Sequence, residues 1–209
     1  MTTNLDAVLD TYAQRITKLR RGLARGVRGR FESACTEGCS WCCCLWVPIL
    51  MPDALLIARH LLRTGPDVSV VHGAFMQQHE HATRYNARLL YLQPNTEHEH
   101  VLCNTWMLRK IPCVFLVDNR CSVYPVRPIS CWTHLAKSPE APICCELDLE
   151  GKTDAVPCYN AEAVVRGAVN LALRIDRSLF GRPGLPEPMA VAVSAALKIY
   201  GEHHDHEKI

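Results

Sequence analysis

A chain of 209 residues, 48% apolar and 21% charged, has the make-up of a soluble globule long enough to bury a core without cross-links. Its formal net charge of +2 indicates neither a nucleic-acid binder nor, overall, an enzyme for acidic substrates. The outlying number is twelve cysteines.

Met1 to Arg20 contains no apolar segment of signal-peptide length, and no run approaches the ~18 apolar residues of a membrane span. The expected location is cytoplasmic, where thiols stay reduced. Metal ligation is therefore preferred to structural disulfides or to twelve unrelated buried thiols.

Residues 4 to 28 predict a helix, because Leu5, Val8, Leu9, Tyr12, Ile16, Leu19, Leu23 and Val27 follow the spacing of one apolar face. Its other side carries Arg15, Lys18, Arg20, Arg21, Arg25, Arg28 and Arg30 without an acid. Such a face is a solvated surface or a docking face for an acidic partner, a nucleic-acid backbone or anionic lipid. Gly22, Gly26 and Gly29 should fray the helix before Cys35.

The stretch Cys35 to Cys44 reads C-T-E-G-C-S-W-C-C-C. The separations between Cys35, Cys39 and Cys42 suit a tight loop that turns several sulfurs toward one point. Cys42, Cys43 and Cys44 are consecutive, so their side chains should diverge and serve a multinuclear site, or one site and the core. Leu45 to Met51 reads as an apolar connector. Pro52 and Asp53 mark the start of a helix that ends at Gly65-Pro66, with Leu56, Ala58, Leu61 and Leu62 facing the core. Asp67 begins a longer helix to about Leu92 that carries His72, His79 and His81, read as core or surface histidines rather than ligands. A further short helix is expected from Glu97 to Lys110, carrying Cys103.

Residues 111 to 131 change texture. Val114–Val117 and Cys121–Tyr124 are β-prone around the turn Asp118-Asn119-Arg120, which predicts a small hairpin capable of acting as a metal knuckle. Pro125 and Pro128 are expected to force an extended path to Cys131. Arg127, between them, would either lie beside a thiolate site and offset its charge or form a surface salt bridge. Residues 132 to 160 read as irregular and carry His134, Cys144, Cys145 and Cys158. Helices are expected from Ala161 to Phe180 and from Met189 to Tyr200, with a loop between them and a disordered tail from Gly201.

The fold expected is mainly α, an irregular cysteine-rich metal-binding core with one small β-hairpin, surrounded by helices. Residues 1–30 form the basic amphipathic helix. Residues 31–160 form the cysteine-rich domain with a helical insertion at 67–110, and residues 161–209 pack on that same domain.

The C-x3-C-x2-C-C run at Cys35, Cys39, Cys42 and Cys43, the I-P-C-V-F-L segment at Cys113, and C-S-V-Y-P-V-R-P-I-S-C from Cys121 to Cys131 together resemble the YkgJ-type family, a zinc- or iron-chelating cysteine-cluster domain. The resemblance covers roughly residues 31 to 146. It departs from the family at Val114, where a proline is usual, at Trp132, where an arginine is usual, and at the added Cys44. It implies a metal site of Cys35, Cys39, Cys42, Cys43, Cys113, Cys121 and Cys131, with Cys144 or Cys145 completing the set. Thiolates suit zinc, copper(I) or an iron–sulfur cluster, and the spacing matches neither a ferredoxin nor a common zinc finger. Flagellin lysine methylases carry a comparable pattern with an iron–sulfur cluster.

Three functions follow as expectations: a cytosolic zinc- or iron-binding protein, an iron-dependent enzyme that modifies a peptide or small molecule, and an interaction module using the basic first helix. Phosphate-binding glycine loops, dinucleotide fingerprints, G-x-S-x-G and H-E-x-x-H are absent from the sequence.

Overall fold

A computed structural model describes residues 4–27, 40–64, 69–84, 106, 109–133 and 162–206 of the chain. Among these it is mainly helical, with two short antiparallel ladders. Helix α1, Leu5–Val27, begins where the Asn4 side-chain oxygen accepts the Ala7 N–H at 3.0 Å, an N-cap that satisfies a donor left free by the helix start. Its apolar stripe buries Leu5, Leu9, Tyr12, Ile16 and Leu23 as the periodicity predicts. The helix runs through Gly22 and Gly26 without fraying before Val27.

Helix α2, Met51–Thr64, starts two residues earlier than expected. Every residue from Pro52 to Arg59 is buried, which makes this the central helix of the core. Leu61 is also buried, but Leu62 is 48% exposed and is not the core residue its neighbours suggested. Helix α3, Ser69–Arg84, follows the expected course; its extension toward Leu92 and the helix expected from Glu97 lie largely outside the described residues.

Strands β2, Leu116–Val117, and β3, Arg120–Cys121, form the predicted hairpin, with Leu116 opposite Cys121 and Val117 opposite Arg120. Its two-residue turn has both Asp118 (φ 47°) and Asn119 (φ 58°) in the left-handed region, as a type I′ turn requires. Arg120 therefore belongs to the strand and not to the turn. Beyond a 3-10 turn at Tyr124–Val126, helix α4, Ile129–Thr133, carries Cys131. This corrects the extended path expected for Cys131. Pro128 lies just ahead of the helix, where its missing N–H costs nothing, and its carbonyl accepts the N–H groups of Cys131 and Trp132.

Helices α5, Glu162–Phe180, and α6, Met189–His206, close the core. Ala168, Leu171 and Ala172 of α5 are buried, as are Met189, Ala190, Ala192, Val193, Ala196 and Tyr200 of α6. Residues 201–206 continue α6, so the start of the expected disordered tail is helical. The second ladder was not expected. Strand β1, Pro48–Ile49, within the apolar connector, pairs with β4, Glu187–Pro188, and Met189 N–H donates to the Val47 carbonyl at 3.1 Å.

Helix α6 packs on α2 and α3, and α5 packs on α1 and α2. One apolar cluster joins residues of α1, α2, the hairpin, α4, α5 and α6, so the three sequence segments share a core. A polar knot fastens α1, α2 and α6 at its edge. Arg59 bridges Asp10 at 2.8 Å and Asp6 at 3.2 Å, and Tyr200 Oη donates to Asp6 at 2.6 Å. Burial pushes the Asp6 carboxyl up, but the bonds from Tyr200 and Arg59 and the charge of Arg63 outweigh it and hold the carboxyl below its usual range.

Candidate metal centre

The cysteine loop ends in a 3-10 turn, Trp41–Cys44, closed by Cys43 N–H to Ser40 O at 2.9 Å and Leu45 N–H to Cys42 O at 3.2 Å. Two bonds fasten this turn to the hairpin far along the chain. Cys113 N–H donates to the Cys43 carbonyl at 2.7 Å, and Ser40 Oγ donates to the Asn119 side-chain oxygen at 3.3 Å. The two cysteine stretches therefore meet in space. The third contributor, α4, is set by Asp53 in the first turn of α2, whose carboxylate accepts the Ile129 N–H at 3.1 Å and the Tyr12 hydroxyl at 2.7 Å.

Six cysteines lie among the described residues: Cys42, Cys43, Cys44, Cys113, Cys121 and Cys131. All are free thiols and all are half-buried. Their electrostatics show which of them lie near enough to influence one another. The thiol of Cys131 is pushed up by burial and then by Cys113, Cys42 and Cys121. Burial raises Cys113 to about 11, with Cys121, Cys42 and Cys44 adding to it. Cys42 is raised by a hydrogen bond with Cys43 and then by burial. Burial likewise raises Cys121 and Cys44. Cys42 is near enough to influence Cys113, Cys121 and Cys131, and Cys44 to influence Cys113. Cys43 is coupled to Cys42 through that hydrogen bond.

The hairpin supplies two matching sulfur environments. The backbone N–H of Phe115 bonds the Cys113 sulfur, and that of Val123 bonds the Cys121 sulfur, each two residues on. Both favour the thiolate, as an N–H aimed at an anion must. Arg127 also lies beside the cluster, where its charge favours ionisation of Cys42, Cys121 and Cys131. Its guanidinium stands 4.3 Å from the centre of the Tyr124 ring, and that of Arg20, from α1, stands 5.0 Å from the same centre. Arg20 Nη1 also donates to the Tyr124 carbonyl at 3.4 Å.

The donor chemistry is that of a site for a thiophilic metal. Among the described residues, no three Cys, His, Asp or Glu side chains stand close enough together to hold an ion. Cys35, Cys39, Cys144 and Cys145 lie outside the described residues, as do Cys103, Cys158 and His134. His72 and His79 are exposed, whereas His81 is buried in an aromatic cluster, 5.3 Å from Trp46 and 5.0 Å from Trp106 between ring centres.

Sequence reasoning missed Asp53 and Tyr12 as a pair that sets α4, and it missed Arg20 and Tyr124 as neighbours of the thiols. An acid in an otherwise apolar helix start and a tyrosine on a buried stripe were the available signals, since a buried hydroxyl and a buried carboxyl each need a partner. Arg15, Lys18, Arg21 and Arg25 remain exposed on α1, and Arg20 alone of the described basic set turns toward the site. Among the described residues, no helix is long and apolar enough to cross a membrane. Comparison with protein families, curated proteins and solved structures gave no match.

Proposed function

We propose that this chain is a cytosolic metal-binding protein of YkgJ type whose thiolates hold zinc or iron, an iron–sulfur or multinuclear site included. One observation carries the reading: the turn that holds Cys42 to Cys44 is bonded to the Cys113 backbone, so free thiols of the turn and of the hairpin, with Cys131 of α4 near enough to influence them, come to one corner of the fold. A fold needing only apolar packing gains nothing by gathering thiols from separate elements in one corner. The two N–H groups directed at sulfur and the adjacent Arg127 support the same reading, because each stabilises a ligand in its deprotonated form. Cys35 and Cys39 would supply the remaining donors from the loop, and Cys144 or Cys145 an eighth. A second reading, an iron-dependent enzyme acting on a peptide or small molecule, is favoured by the half-exposure of these thiols beside Tyr124, which is 51% exposed. A closed structural site has no use for such an opening.

The test is elemental analysis and an absorption spectrum of protein purified without oxygen, on the parent chain and on Cys42→Ser and Cys121→Ser. Each substitution is expected to lower metal content and thermal stability together, because binding and folding are coupled. Anaerobic parent protein without metal rejects the reading. Two metals lost separately by the two variants would instead mean two independent sites.

A further inference from the structure

The same corner of the molecule holds two cations that the described residues do not neutralise with an acid. Arg20 and Arg127 converge on the ring of Tyr124 from α1 and from the segment before α4. Neither forms an ion pair with a described carboxylate, unlike Arg59 and Arg63. Arg20 makes one long hydrogen bond, to the Tyr124 carbonyl. Arg127 makes none to a described residue, and its Nε is buried without a partner. Burial and then the nearness of Arg127 weaken the hold of Arg20 on its proton.

Two like charges side by side cost free energy unless an anion lies between or beside them. Both guanidinium groups lie over the ring, and each carries the fork of N–H donors that suits carboxylate or phosphate oxygens. Tyr124 is half exposed, so the corner opens to solvent.

We propose that Arg20 and Arg127, stacked on Tyr124, form a receptor for the oxyanion of a small molecule, a carboxylate or a phosphate, beside the thiol cluster. That the anion belongs to a substrate or ligand of the neighbouring centre rests on the metal reading above. The receptor itself rests on the two guanidinium groups, the half-exposed ring and the unpartnered Arg127 Nε. The rival account is that both arginines serve only to offset the charge of the thiolates.

Protein purified without oxygen, labelled at the tyrosine rings and at arginine Nε, would be titrated with inorganic phosphate and separately with glutarate. Ionic strength is held constant with chloride, and metal is assayed on the same samples. Saturable shifts of the Tyr124 and Arg127 signals are expected. Arg20→Gln should weaken binding at least ~10-fold while metal content stays at the parent level. Tighter binding of phosphate would identify a phosphate ester as the ligand class, and tighter binding of glutarate an organic acid; either supports the receptor. No saturable shift with either anion, or equal binding to the Arg20→Gln protein, overturns it. Loss of metal in Arg127→Gln with no anion binding by the parent establishes the charge-offset role instead. A parent that saturates with anion but carries no metal keeps the receptor and rejects the metal centre.

Discussion

Gly184 is a glycine for want of space. Its N–H donates to the Asp176 carboxylate at 2.7 Å, and a Cβ built on it would stand only 2.5 Å from that same oxygen. Asp176 is buried, and its second oxygen has no described hydrogen-bond partner. Burial raises this carboxyl while the Gly184 N–H pulls it down, so the one bond matters to a group with little other support. Gly184→Ala must displace the carboxylate or the loop that leads into β4. A loss of about 1–3 kcal/mol is expected from such overpacking, read by chemical denaturation. An unchanged midpoint would show that Asp176 moves aside freely. Reasoning from sequence could assign Gly184 to a loop, but not to this contact, because the partner lies in the preceding helix and the close approach depends on how the loop folds back.

Among the elements, the hairpin carries the most consequence for its length. The β-prone segments and the Asp118-Asn119 turn were legible because local chemistry decides them: asparagine and aspartate tolerate φ > 0 better than most residues. The same turn holds the cysteine loop through Ser40 and Asn119. Asn119→Val would place a β-branched residue at φ 58° and remove that bond together. A destabilisation of about 1–2 kcal/mol is expected from the backbone alone. In the proposed metal protein a drop in metal content should accompany it, and elemental analysis beside a melting curve checks both. A stable variant with full metal content would show that the hairpin does not depend on this turn type.

Elements decided by distant partners were not legible. The β1–β4 ladder pairs two proline-containing dipeptides from distant parts of the chain, and proline speaks against a strand in any local reading. The helical turn at Cys131 likewise depends on Asp53, which accepts the N–H at the start of α4. The amphipathic stripes of α1 and α5 could be read because one core face at helical spacing needs no knowledge of what covers it.

Across the whole molecule, Asp53 joins the stability of the core to the arrangement of the site. It is buried in α2, bonded to Tyr12 of α1 and to the backbone of α4, and so it touches three elements that approach from different parts of the chain. Burial raises its carboxyl to about 6, against the opposing pull of the Tyr12 hydroxyl and the Ile129 N–H. A carboxyl raised in the folded state binds its proton more tightly there than in the unfolded chain. Its contribution to stability is therefore greatest in acid and falls as pH rises from about 4 through about 6. Titration near 6 instead of 3.8 corresponds to roughly 3 kcal/mol given up by neutral pH. The return is positional, since the ionised group fixes α1 and the N-terminus of α4, and with α4 the approach of Cys131. Asp53→Asn removes the titration, so its stability relative to the parent should improve steadily between pH 4 and pH 7. Denaturation of both proteins across that range measures the difference, in which thiol titrations common to the two cancel. A difference that stays constant with pH would mean that Asp53 is ionised throughout, and that the bonds from Tyr12 and Ile129 outweigh its burial.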